Sequence, residues 1–116
     1  MDAVEFLLEN GADVNTKTKK NFTLLMYCVK HANFNLVQLV IKHGASINTK
    51  DISGFTALDY AVDSNNLEIV QLLVDSGAFL SDNSYMLAIT QNYKKITRYF
   101  DELDPNKEVF LKKRVI

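Results

Sequence analysis

Two segments of the chain carry apolar residues at i, i+3 and i+4: Leu36, Val37, Leu39 and Val40, then Ile69, Val70, Leu72 and Leu73. This spacing lays one apolar stripe along a helix, and it predicts helices over 34–43 and 67–76. Each is preceded by a second apolar stretch, LLMYCVKHA (24–32) and ALDYAVDSN (57–65), that fits one short helix. Thr23 and Thr56 stand just before those stretches, where a hydroxyl satisfies a free amide of the first turn. Asn65 falls where the helix needs a left-handed C-cap, which Asn tolerates, and Ala32 holds the same place at some cost. Gly44 and Gly77 close the second helices. The intervening ADVNTKTKKN and ASINTKDISG read as extended arms that fold back, with Asn21 or Gly54 at positive φ.

The pattern is periodic. Gly11-Ala12, Gly44-Ala45 and Gly77-Ala78 are 33 residues apart, and NFTLL (21–25) matches GFTAL (54–58) at the same interval. Several independent residues on one fixed period mark stacked structural repeats. Residues 2–10 then align with the second helix of a unit whose first helix is missing. Residues 11–43 and 44–76 are full periods, and 77–103 is a third unit with helices YMLAITQ and KKITRYFDEL. Its connection is short. Gly44 to Leu58 is a step of 14 residues, whereas Gly77 to Tyr85 is a step of 8, although Ala88 still aligns with Ala61 and Asn92 with Asn65. The missing residues are those of the arm's tip, and Asn83 or Ser84 is the expected cap of the next helix. Asp104 as N-cap and Pro105 at the first helical position predict a capping helix over 104–116.

These units resemble ankyrin repeats. The residues that carry the likeness are GADVN (11–15), GASIN (44–48), FTLLMYCV (22–29), FTALDYAV (55–62) and LEIVQLLVDSGA (67–78). The likeness covers 2–103 and implies an all-α solenoid in one domain over 1–116. Helix–turn–helix units would be joined by β-hairpin-like loops, the third shortened. The family's Thr-Pro-Leu-His signature stands here as Thr23-Leu24-Leu25-Met26 and Thr56-Ala57-Leu58-Asp59. Loss of the histidine's hydrogen bond to a neighbouring loop predicts looser stacking.

The two ends differ. The segment 2–10 exposes Val4, Phe6, Leu7 and Leu8 with nothing before it, so preceding repeats or another chain are expected to cover that edge. At the other end Lys94, Lys95, Arg98, Lys112, Lys113 and Arg114 make a polar cap.

Composition narrows the classes. With 116 residues, 47% hydrophobic and 23% charged, the chain is an ordinary globular one. A formal net charge of −1 gives no global pull toward nucleic acid or an anionic membrane. No apolar run approaches the roughly 20 residues of a spanning helix. The acidic start MDAVEFLLEN lacks the basic region of a secretory signal. A single cysteine, Cys28, suits a reducing compartment. A cytoplasmic protein is expected, with the nucleus second, since KKR at 112–114 is a short basic run.

Candidate chemistry is sparse. His31 and His43 sit at helix ends and share no metal-ligand spacing with Cys28. Cys28 holds the small inner-helix position that Ala61 and Ala88 fill elsewhere. No phosphate-cradling glycine loop exists. Neither enzyme activity, nor a cofactor, nor a metal, nor a small-molecule substrate is expected. The resemblance implies binding of another protein through hairpin tips and the exposed side of the first helices. The period maps that surface onto Lys17, Lys19, Lys20, Phe22, Lys30 and His31 in the first full unit. The second unit supplies Lys50, Ile52, Ser53, Phe55, Asp63 and Ser64, and the third Thr90 and Gln91. Phe22 and Phe55 are the expected anchors, either in contact with a partner or packed under their hairpins. KTKKN (17–21) would steer an acidic partner. Two further roles share this surface: an inhibitor that occludes an enzyme, and an adaptor cut from a longer array. LLENGADVN is also similar to the family's pattern for asparaginyl hydroxylation, at Asn15, although the same residues define the consensus loop.

Overall fold

A computed structural model describes Gly11 and residues 13–103. The partial unit at 2–10 and the capping helix at 104–116 lie outside the described residues. Among the described residues six helices follow one another: α1 (Leu24–Lys30), α2 (Phe34–Lys42), α3 (Ala57–Asp63), α4 (Leu67–Asp75), α5 (Asp82–Thr90) and α6 (Lys94–Leu103). They pair as α1 with α2, α3 with α4 and α5 with α6. The first helices α1, α3 and α5 stack in one layer and the second helices in another. This is an all-α solenoid, as the period requires.

Local chemistry sets the ends of these helices. Thr23 accepts from the amide of Met26, and Thr56 from that of Asp59. Asn33 and Asn66 do the same for α2 and α4, each through its side-chain oxygen. Ala32, Asn65 and Asn92 all adopt positive φ, of 54°, 54° and 60°. Asparagine suits that conformation; for alanine it is strained.

The start of α5 corrects the expected cap. Neither Asn83 nor Ser84 caps it. The N-cap is Ser81, whose hydroxyl accepts from the Ser84 amide at 3.1 Å. With no arm to build, the chain enters the helix sooner, and α5 begins at Asp82. Ser84 is thereby drawn inside, fully buried.

The core runs between the two layers. Cys28, Ala61 and Ala88 are all buried at the inner-helix position, where small side chains let neighbouring helices approach. Leu25, Leu58 and Tyr85 fill one row beside them, and Val37, Val40, Ile69, Val70, Leu73, Ile96 and Phe100 come from the second helices. Fully burying such a side chain contributes about 1.5–3 kcal/mol.

Hydrogen bonds between units reinforce the packing, and one of them arises at the signature's histidine position. Asp59, in the signature's histidine position, is buried, accepts from the Thr56 amide at 3.0 Å, and takes a second hydrogen bond from the Ser84 hydroxyl of the next unit. The loops are tied as well. Asn15 accepts from the Ser46 amide at 2.7 Å and donates to the Gly44 carbonyl at 3.5 Å. One period on, Asn48 accepts from Phe79 at 2.8 Å and donates to Gly77 at 3.0 Å. Asn15 is thus a joint between loops.

Candidate functional site

Each full unit projects a folded-back arm ahead of its first helix. In the first, the Thr18 amide donates to the Phe22 carbonyl at 3.0 Å, and Lys17 pairs with Thr23 as an antiparallel bridge. In the second, the Asp51 amide donates to Phe55 at 2.9 Å. Asn21 and Gly54 take the positive φ that each reversal needs. The arms are joined to one another, since the Ile52 amide donates to the Lys20 carbonyl at 2.9 Å.

A groove of about 580 Å³ opens between these arms. Six residues anticipated from the period converge on it: Lys19, Lys20, Phe22, Lys30, Ile52 and Ser53. Thr18, Asp51 and Tyr60 complete its lining and were not anticipated. Tyr60 organises the group. Its ring meets Phe22 edge-on at 5.7 Å and Phe55 at 5.2 Å, so one helical side chain touches both arms. Phe22 and Phe55 are consequently half-buried, with their rings against Tyr60.

Tyr60 also donates its hydroxyl to Asp51, whose other carboxylate oxygen accepts from the amides of Ser53 and Phe55 at 2.9 and 3.0 Å. Burial alone pushes the Asp51 carboxyl up, but the Tyr60 hydroxyl and the amides of Phe55, Ser53 and Gly54 outweigh it. Its pKa therefore lies below the ordinary value. Tyr60 moves the other way. Burial first, then the bond to Asp51 and the charges of Asp51, Asp59 and Asp63, push its phenol up to about 12.

Lys30 reaches over the same aromatics. Its ammonium lies 5.7 Å from the Phe22 centroid and 5.4 Å from that of Tyr60. Such a contact contributes about 0.5–1 kcal/mol at an exposed site. The rim is basic, with Lys19 and Lys20 exposed, and Ile52 stands out at 73% exposure.

The remaining anticipated residues lie elsewhere. Lys17 and Lys50 are exposed on the arms but do not line the groove. His31, Ser64 and Gln91 are the C-caps of α1, α3 and α5, and so occupy equivalent places along the stack. Asp63 and Thr90 precede two of them, both exposed; the Asp63 carbonyl accepts from the Tyr93 hydroxyl at 3.2 Å. His31 stacks on Tyr27 at 4.2 Å, and its Nδ1 lies 3.0 Å from the Tyr27 carbonyl. His43 caps α2.

Tyr27 stands one period before Tyr60, but Thr18 stands there in place of Asp51, so its hydroxyl has no matching carboxylate in its own arm. The signal that could have revealed Tyr60 is Asp51-Ile52-Ser53-Gly54, a turn whose leading Asp bonds amides two and four residues on.

Among the described residues no group of three His, Cys, Asp or Glu is placed to hold a metal ion, and no helix is long and apolar enough to cross a membrane. A family model describing ankyrin repeats, in three copies, matches residues 1–84. Comparison with curated proteins finds no match.

Proposed function

Because the chain belongs to the ankyrin-repeat family, whose repeats are generally protein–protein interaction modules, we propose that it binds a protein partner on the arm side of the stack. The observation that carries this reading is the convergence of residues from two different arms and from α1 on one open groove. Lys19 and Lys20 come from the first arm, Ile52 and Ser53 from the second, and Lys30 from the end of α1. A single unit could not assemble that surface. Stacking α1 on α3 does so, and the hydrogen bond from Ile52 to Lys20 holds the two arms at a fixed separation.

The row of helix ends, with His31, Ser64, Thr90 and Gln91, extends the same binding surface along the stack. Beyond the second unit the arm-borne part stops, since residues 76–81 connect α4 directly to α5. Catalysis is not part of this reading: the one carboxylate that lines the groove is engaged by two amides of its arm and by the Tyr60 hydroxyl.

Site-directed photo-crosslinking tests the proposal. A photoreactive amino acid placed at Ile52 or Thr90 should crosslink a protein partner in cells that make the chain. The same group at Gln38 or Glu68, exposed on the second helices, should not. Equal yields at all four positions would sink the assignment of the face.

A further inference from the structure

We propose that the groove between the arms takes an acidic peptide segment, with a carboxylate of the partner on the Lys30 ammonium and an apolar side chain against Ile52 and Phe22. This rests on the arm side being the binding face and adds the chemistry of what binds there.

The first argument is charge. Three lysines and one carboxylate line the groove. Both oxygens of Asp51 are already engaged, one by the amides of Ser53 and Phe55 and the other by the Tyr60 hydroxyl. Its hydrogen-bonding capacity is taken up by its own arm and by α3, so it does not pair with the lysines. Lys19, Lys20 and Lys30 form no ion pair with any described residue. The chain as a whole carries a net charge of −1, so these cations are a local concentration rather than part of a general excess.

Preorganisation is the second. Lys30 is held over two ring faces, at 5.7 and 5.4 Å, by an attraction that leaves the N–H donors of its ammonium for a ligand. A lysine ordinarily loses rotamer freedom when it binds an anion, and here part of that freedom is already gone. The hydrogen bond from Ile52 to Lys20 similarly fixes the groove's width before any ligand arrives.

The third argument separates a peptide from a nucleic acid. Strands bound without sequence preference need free aromatic faces on which bases stack. In this groove Phe22 and Tyr60 are half-buried against each other and Lys30 covers them. No arginine lines the groove, and Ile52 offers an exposed aliphatic surface instead. A short segment with both a carboxylate and an apolar side chain matches that mixture.

The test is selection of a random peptide library on the full chain, followed by fluorescence anisotropy with the enriched peptides. They should be rich in Asp and Glu beside an apolar residue. Their affinity should fall about two- to fivefold in Lys30→Gln and also in Lys20→Gln, by the loss of one exposed charge pair. Lys42→Gln, on α2, should leave it unchanged. Raising salt from about 50 to about 300 mM should weaken binding several-fold as the Debye length shortens. Circular dichroism melts confirm that each variant folds, and Lys20→Gln carries the test if Lys30→Gln does not. Neutral or basic peptides, or acidic ones indifferent to both lysine changes, would overturn the proposal while crosslinking from Ile52 still upheld the binding face. Equal competition by an oligothymidylate would also overturn it, marking a general polyanion site. Failure to enrich any peptide, together with no crosslink from Ile52 or Thr90, would remove both readings.

Discussion

The hydroxyl of Tyr60, on α3, donates to the carboxylate of Asp51 in the arm that precedes that helix. This bond pins the second arm to the stack and sets the floor of the groove. Tyr60→Phe keeps the ring on Phe22 and Phe55 but removes the donor, leaving Asp51 with amide donors only. A hydrogen bond to a charged group contributes about 1.5–3 kcal/mol, and partial exposure puts this one near the lower end. The variant should lose about 1–2 kcal/mol in urea unfolding. A loss below about 0.5 kcal/mol would mean that the ring, not the hydroxyl, holds the arm.

The same pair predicts the pH limits of stability. The fold lowers the Asp51 pKa below its ordinary 3.8, so it favours the carboxylate. That contribution is fully present above 3.8 and is lost as pH falls through the folded-state value. Tyr60 is raised from 10.0 to about 12, so the fold favours the neutral phenol. Its contribution is complete below 10.0 and is lost as pH rises toward about 12. Urea midpoints measured across pH should therefore fall at both ends. In Tyr60→Phe the alkaline fall should shrink and the acid fall become shallower. Unchanged limbs would show that other groups set them.

The bond from Ser84 to Asp59 joins the second unit to the third inside the core. Ser84→Ala would leave a buried carboxylate short of one partner, at a cost of about 1–3 kcal/mol. Hydrogen exchange adds a spatial readout: amides of α5 and α6 should exchange faster relative to those of α1 and α2. Uniform acceleration along the chain would argue against a joint at this place.

Ala32 offers a gain. It holds φ at +54°, as Asn65 does one period later. A left-handed conformation costs an ordinary residue roughly 1–2 kcal/mol, and asparagine pays less of it. Ala32→Asn should raise stability by about 0.5–1 kcal/mol, seen as a higher melting temperature. No change would imply that the exposed turn between α1 and α2 is already open in the native state.

The parts of this fold that were legible in sequence are the local ones. Thr23, Thr56, Asn65 and Gly77 declare helix ends because each acts on amides or carbonyls within a turn of itself. Ser81 escaped because alignment on the period pointed to Asn83 or Ser84, whereas the cap falls where a shortened connection first lets the chain turn. The groove was half legible. Its lysines and Ile52 follow from register, since arm tips are exposed whatever their sequence. Tyr60 and Asp51 did not follow, because their role depends on a helix side chain reaching both its own arm and the neighbouring one. Asp59 likewise reads as a lost histidine until Ser84 is seen beside it.

The loop joints have a consequence for length. Asn15 and Asn48 make the same pair of bonds, each to a glycine carbonyl and to the amide two residues beyond it. Nothing in either joint identifies which unit must come next. Excision of residues 16–48 would bring Asn15 to Gly77 and Phe79 with donor and acceptor already matched. Whole units could thus be gained or lost in descent without inventing a new connection, although the groove itself needs two neighbouring arms.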